Sequence, residues 1–176
     1  MTTRPARRPL EASTLRLLPF DAQYADLVAS WVVDDAEALW LAPKTPPPIT
    51  AEQVRDWTTP GHEPLMLCRA RREPPVAYGE LNVLSRSAGH FWLGHLLVAP
   101  ARRGRGVGRA LTEALLRRAF HRRGANRVSL VVFPENRAAV ACYFSAGMRE
   151  VARERHYLRP YEREAELVRL TTIAAP

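Results

Sequence analysis

The segment Arg103-Gly104-Arg105-Gly106-Val107-Gly108 sets three glycines at alternate positions among arginines. Glycines let a chain turn tightly and bring backbone N–H groups up to an anion with no Cβ in the way. At the start of a helix such a loop also gains the positive end of the helix dipole, and a pyrophosphate is its natural guest. It is not a Walker loop, because no Gly-Lys-Ser/Thr closes it. It is a poor dinucleotide fingerprint, because it lies far from the first strand and lacks a suitably placed ribose acid. Read alone, it is equally a glycine turn entering a helix. Other residues could move protons. Glu80 sits in Tyr78-Gly79-Glu80-Leu81, where an acid inside an apolar strand is expensive unless exposed or functional. His95 lies in Gly94-His95-Leu96, and Tyr143 follows Asn136 by seven positions, which puts the two on one helical face about 10 Å apart. The plainer alternatives are an edge-facing structural Glu80, a satisfied core His95 and an amphipathic core Tyr143.

These residues need elements to hold them. Leu15–Leu18 reads as an opening strand, and Asp21–Val33 has helical spacing, with apolar residues at 24, 27, 28 and 31. A short helical stretch, Asp35–Leu41, precedes the extended Pro46-Pro47-Pro48 connector. Thr50-Ala51-Glu52-Gln53 matches a capping box that opens a helix to about Thr58. Leu65–Arg71, Val76–Leu84 and His90–Val98 follow as strands, the last nearly continuously apolar. The glycine loop then opens a helix to about Arg123, closed by Gly124. Arg127–Phe133 is a strand, Asn136–Ala146 a helix closed by Gly147, and Glu150–Leu158 and Glu166–Thr172 the final strands. Strand–helix–strand across 92–133 implies a right-handed parallel crossover in a mixed sheet.

Bulk features mostly exclude. At 176 residues, 47% hydrophobic and 25% charged, the chain is one domain and neither disordered nor fibrous. We expect a single domain over 13–174 after a flexible Arg/Pro-rich arm at 1–12. Cys68 and Cys142 lie far apart, which excludes a disulfide framework and a multi-Cys zinc site and suits a reducing compartment. No metal is expected. No apolar run approaches a membrane span, and Met1–Pro9 lacks the apolar core of a secretory signal, so a cytoplasmic location is expected. The net charge is +8, and residues 101–123 carry eight arginines against the single acid Glu113. A basic balance first suggests nucleic acid, a membrane surface or a phosphate-rich ligand. A solvated helix face is the plainer account of such a charge run, and what argues for a phosphate-rich ligand is the glycine spacing inside the same segment.

The sequence Leu96-Leu97-Val98-x-Pro100-x-x-Arg103-Gly104-x-Gly106-x-Gly108 resembles the acetyl-CoA-binding motif of the GCN5-related N-acetyltransferase (GNAT) family. A second stretch, Leu130-x-Val132-x-x-x-Asn136-x-x-Ala139-x-x-x-Tyr143-x-x-x-Gly147-Met148, is similar to the family's strand–helix half, with Gly-Met where Gly-Phe usually stands. The resemblance implies an α/β (α+β) GNAT fold. That is a mixed, mostly antiparallel sheet of six to seven strands with a central, splayed parallel pair, flanked by about four helices. It also implies acetyl-CoA as co-substrate. The backbone of Leu96, Leu97 and Val98 would pair with the pantetheine arm, and the N–H groups of Gly104, Arg105, Gly106, Val107, Gly108 and Arg109 would cradle the pyrophosphate. Arg103 stands at the motif's Gln/Arg position, and Asn136 would hydrogen-bond the cofactor arm. Tyr143 would be the acid that meets the departing CoA sulfur.

The implied reaction is direct attack of a neutral primary amine on the thioester, with the oxyanion held by a strand N–H, that of Val98 or its neighbour. An amine of pKa near 10 is mostly protonated at pH 7, a deficit of about 4 kcal/mol that a base must address. Positions where family members carry a glutamate hold Trp92 and Val131 here, and the second departure argues against a protein N-terminal acetyltransferase. Glu80, working through a water, and His95 are the remaining candidates for the base. The acceptor read from this is a small-molecule amine. The alternatives are aminoacyl-tRNA or a protein amine, and, outside the class, a non-enzymatic nucleic-acid-binding or CoA-sensing domain. Family members often dimerise, which leaves a homodimer open, and no membrane partner is expected.

Overall fold

The computed structural model describes residues 14–70 and 73–174, so the expected arm at 1–12 lies outside the described residues. Seven strands form one sheet: β1 Arg16–Pro19, β2 His62–Cys68, β3 Ala77–Ser85, β4 His90–Val98, β5 Arg127–Val132, β6 Arg149–Leu158 and β7 Arg163–Ile173. Their order is β1-β2-β3-β4-β5-β7-β6, and β4–β5 is the parallel pair among antiparallel neighbours. Five α-helical segments accompany the sheet among the described residues: α1 Ala25–Ala29, α2 Asp35–Leu41, α3 Ala51–Asp56, α4 Val107–Arg123 and α5 Arg137–Ser145.

Local chemistry explains most boundaries. The capping box at α3 is complete: Gln53 N–H donates to Thr50 Oγ1 (3.2 Å) and Thr50 N–H to Gln53 Oε1 (2.8 Å). The Asp34 side chain caps α2 by accepting from Glu37 N–H at 2.8 Å. Gly124, at φ 64°, ends α4 in the left-handed conformation. The helix expected over 21–33 is shorter, a 3₁₀ turn at Ala22–Tyr24 followed by α1. The Trp31 carbonyl accepts instead from the Arg103 guanidinium at 2.8 Å, a bond that carries the chain out of the helix. β2 begins three residues before its apolar run, because pairing with β3 from His62↔Asn82 holds its polar start.

Strand alternation divides the packing into two layers. Ala77 and Leu81 face α4 and join the main core with Leu111, Leu115 and Leu130. A Cβ on Gly79 would come within 3.1 Å of Leu115 Cδ1, so glycine there lets α4 lie close on β3. Tyr78 points the other way, into a second cluster with Val28, Trp31, Val54, Trp57 and Leu97 from α1–α3 and β4. Leu39 of α2 belongs to a third cluster with Phe133, Leu158 and Leu167.

Two irregularities in β4 shape the site. Pairing with β5 is confined to His90↔Arg127, Phe91↔Val128 and Trp92↔Ser129. Beyond these residues the strands part, with Leu130–Val132 continuing their ladder only with β7. On the β3 side, Leu97 pairs with Tyr78 and Gly94 with Glu80, so three steps on β4 meet two on β3. The extra residue forms a β-bulge at His95, whose φ of 46° is left-handed and unusual outside glycine.

Candidate active site

Glu80 is buried without exposure on β3 and faces the α1–α3 side. Its Oε1 accepts from the Tyr78 hydroxyl (2.9 Å) and faces His95 Nδ1 (2.8 Å), and its Oε2 accepts from Asn82 Nδ2 (2.9 Å). His62 Nδ1 lies 3.7 Å from Oε2. Burial, the largest single effect, would raise the carboxyl. The His95 ring, with Asn82 and Tyr78 adding to it, outweighs burial and holds Glu80 below the ordinary glutamate range. The same neighbourhood raises the Tyr78 hydroxyl, first by burial and then by the Glu80 charge, so Tyr78 stays a donor.

The bulge turns Gly94 and His95 to the same side as Glu80. A Cβ on Gly94 would lie 3.1 Å from Asn82 Nδ2 and 3.3 Å from Glu80 Oε2, so the residue beside His95 has to be small. The His95 ring stacks on Trp57, with centroids 4.0 Å apart and planes at 10°. Because Nδ1 faces a carboxylate it carries the proton, and a neutral ring then presents Nε2 as the acceptor. His95 is about one-fifth exposed and Glu80 not at all. Of the two candidate bases, only His95 can touch an acceptor.

The parted strands lie beside this pair. Ala99 N–H donates to the Val76 carbonyl at 3.0 Å, so antiparallel alternation turns the Val98 N–H and carbonyl away from β3. The Val98 carbonyl accepts from Arg103 Nε at 3.0 Å. The expected backbone ligands Leu96, Leu97 and Val98 thus lie in the half of β4 that has left β5. The glycine loop follows, with Gly104 and Gly106 at φ 67° and 77°, and Gly106 is the N-cap of α4. A Cβ at either would meet nothing within 4 Å, so these glycines are required by backbone conformation and leave the loop face clear. Gly108 packs under Val98 and Cys142.

The arginines divide. Arg105 Nε is buried and has no hydrogen-bond partner among the described residues. Arg109 pairs with Glu113 one turn on (2.7 Å). Arg103, at the motif's Gln/Arg position, has its guanidinium engaged within the chain: by both Glu37 carboxylate oxygens, the Trp31 carbonyl and the Val98 carbonyl. Arg118 forks onto Glu63, and Arg123 lies 3.6 Å from the same carboxylate and over the Phe91 ring. Half of the arginines in 101–123 therefore answer acids of the chain itself, and the charge excess there is only partly open to a ligand.

Asn136 is the N-cap of α5: its Oδ1 accepts from Ala139 N–H at 3.2 Å and its carbonyl from Val140 N–H at 3.0 Å, so it opens the helix that carries Tyr143. Tyr143 is half-buried against the main core, and its hydroxyl is raised by burial and secondarily by Cys142. Glu37 and Asn82 were not identified from the sequence, and Trp57 was read, with Trp31 and Trp40, only as a possible apolar wall for the acceptor. Asn82 could have been, because Tyr78, Glu80 and Asn82 alternate along one strand face. Glu37 and Trp57 reach the site only through tertiary packing.

Among the described residues no group of three or more His, Cys, Asp or Glu could hold a metal, and no helix is long and apolar enough to cross a membrane. The fold is shared with spermidine N-acetyltransferase from Vibrio cholerae, solved with CoA and spermine: TM-score 0.76, 16% identity, 92% of this chain and 96% of that one. It is shared also with the aminoglycoside acetyltransferase AAC(6')-Ib, solved with ribostamycin and coenzyme A: TM-score 0.70, 17% identity, 91% and 93% coverage. Residues 25–148, more than half of the chain and inclusive of both motifs up to Met148, match the acetyltransferase (GNAT) family, and the chain belongs to that family.

Proposed function

We propose that the chain transfers an acetyl group from acetyl-CoA to a primary amine of a small cationic molecule, with His95 as the base and Glu80 as the residue that holds it. The observation that carries this reading is the Glu80–His95 pair beside the half of β4 that has parted from β5. The residues present suit the co-substrate. Two glycines with open faces and the unpartnered Arg105 Nε would receive the pyrophosphate. The N–H groups of Gly104 to Arg109 would cradle it, and Leu96, Leu97 and Val98 would meet the pantetheine arm as an added strand. Asn136, with its Oδ1 already in the cap, has only its amide N–H groups left to offer.

Acetyl-CoA supplies an activated acyl thioester; the rest of the chemistry falls to the chain. His95 Nε2 takes the proton that the amine sheds as its C–N bond forms. The stacked Trp57 and the Glu80 carboxylate keep the ring oriented and its charge compensated. The Val98 N–H, turned toward the gap, stabilises the carbonyl oxygen. Burial keeps Tyr143 protonated, so it serves the departing sulfur as a hydrogen-bond donor, while full proton transfer from so weak an acid is uphill.

A cationic acceptor follows from the charge of the opposite rim. Residues 21–58, which carry α1–α3, hold seven acids against Lys44 and Arg55; with Glu37 answered by Arg103 and Asp26 by Arg55, five acids remain against Lys44. The two fold relatives were solved with spermine and with ribostamycin, each in a protein named for acetylating such a molecule. The arginines paired to Glu37, Glu63 and Glu113 remove much of the argument for a tRNA-linked acceptor. A panel of polyamines, aminoglycosides, amino acids and short peptides, followed by CoA thiol release, tests the proposal. Polyvalent amines should turn over best. Release with peptides alone would overturn the acceptor class, and release with no amine would overturn the reaction.

A further inference from the structure

We propose that Arg103 is a positioning residue that fastens the acceptor-side helix α2 to the cofactor loop, so that ordering the loop orders the acceptor site. The inference rests on reading Gly104–Gly108 as the cofactor loop. Its basis is a set of bonds that joins distant parts of the chain. Arg103 Nε donates to the Val98 carbonyl at 3.0 Å, and Nη2 donates to the Trp31 carbonyl at 2.8 Å and to Glu37 Oε2 at 3.1 Å. Nη1 donates to Glu37 Oε1. Glu37 Oε2 also accepts from Val33 N–H at 3.1 Å, and Glu37 N–H donates to the Asp34 cap. One guanidinium thus collects both ends of the Trp31–Glu37 segment and the last residue of β4.

Helix α2 has seven residues, too few to be held by its own hydrogen bonds, so tertiary contacts decide where it sits. It has contacts on each side of the parted strands. Glu37 ties it to the loop that follows β4, and Leu39 packs with Phe133, Leu158 and Leu167 on the β5–β7 side. A bidentate arginine–carboxylate pair fixes orientation as well as distance, which a single apolar contact does not. The Arg103 backbone adjoins Gly104, so whatever settles the glycine loop also settles the guanidinium and, through Glu37, the helix. By linkage, an acceptor that rests on α2 then favours the bound loop by the same factor.

The test reads both substrates separately. Arg103→Gln and Glu37→Gln should each raise the acceptor KM about tenfold, the double variant should be no worse than either single one, and the Kd for CoA should stay within about twofold. A second readout needs no turnover: CoA should slow amide hydrogen exchange over residues 31–41 in the wild type and fail to do so in either variant. If Arg103→Gln weakens CoA about tenfold while Glu37→Gln does not, the guanidinium meets the phosphates and the proposal is wrong. It is equally wrong if folded variants keep the wild-type acceptor KM, or if CoA binds and exchange over 31–41 is unmoved. Absence of any CoA-induced rise in Tm in the wild type would instead remove the cofactor reading beneath it.

Discussion

Glu80→Gln separates the roles assigned to the buried carboxylate. The substitution keeps the shape and removes the charge. The introduced amide can present its oxygen to Tyr78 and His95, which leaves its nitrogen against Asn82 Nδ2, now 2.9 Å from Glu80. Asn82 can answer by turning its own amide over, because its Oδ1 is buried without a partner. Three charge-assisted bonds become neutral ones at about 1 kcal/mol each, offset by the several kcal/mol no longer spent on burying a charge, so net stability should move by no more than about 2 kcal/mol. The effect on chemistry should be larger. A carboxylate about 4 Å from the imidazolium charge is worth about 4 kcal/mol at an effective dielectric of 20, and a half-transferred proton feels about half of that. Some 2 kcal/mol corresponds to a loss of about 30-fold in kcat/KM for the amine. CoA release at saturating acetyl-CoA over pH 6–9, with acetyl-CoA Kd from calorimetry, measures it. A folded variant with kcat/KM within about twofold of wild type, or a loss that follows acetyl-CoA Kd, would refute the pairing of Glu80 with the base.

Tyr143→Phe should lower kcat by about tenfold or more while acetyl-CoA Kd stays near wild type, since the hydroxyl makes no hydrogen bond to a described residue and its ring packing is retained; stopped turnover with lost binding would point to a structural tyrosine. Gly94→Ala should push Asn82 and Glu80 apart by a few tenths of an ångström and destabilise the fold by about 1 kcal/mol, read as a lower Tm, with kcat reduced in step. His90 is depressed below its ordinary 6.5 by burial and then by Arg127 and Arg169, while Nε2 lies 2.8 Å from Ser129 Oγ. The unfolded chain therefore takes up the proton first, and stability conferred by the neutral ring is full above about pH 6.5 and lost as pH falls through and below it. His90→Gln should flatten the decline of Tm between pH 7.5 and 5.5; an unchanged decline would place the acid sensitivity elsewhere.

The parts of this molecule that were legible in the sequence are those written in local chemistry. The capping box at Thr50, the glycine stop at Gly124 and the full span of β4 all follow from residues within a few positions of each other. The glycine loop was legible because glycine adopts φ near 70°, as at Gly104 and Gly106, without the strain that other residues meet there. What was not legible depends on register. His95 gains its position from one extra residue in β4 opposite Tyr78–Glu80, and a bulge leaves the apolar pattern of a strand almost untouched. Spacing by seven presumes that Asn136 is inside the helix with Tyr143, whereas it is the cap, with a non-helical backbone of φ −76° and ψ 65°. Arg103 and Glu37 lie 66 residues apart, and no pattern in the chain announces their pairing.

The bulge and the buried acid are better understood as one arrangement than as two. A histidine at positive φ is strained, and a carboxylate with no exposure is costly, so each alone should have been removed by an ordinary residue. Together they stabilise one another: the bulge turns His95 Nδ1 to within 2.8 Å of Glu80, and Glu80 supplies the charge that fixes which ring nitrogen remains open. A purely structural role would be met as well by an apolar pair in a regular ladder, with neither strain nor desolvation. The arrangement makes sense if a proton acceptor has to stand where β4 leaves β5, which is also where the Val98 N–H turns into the gap. Strain held at this one place on an otherwise regular strand is therefore an argument for chemistry at His95, independent of any resemblance.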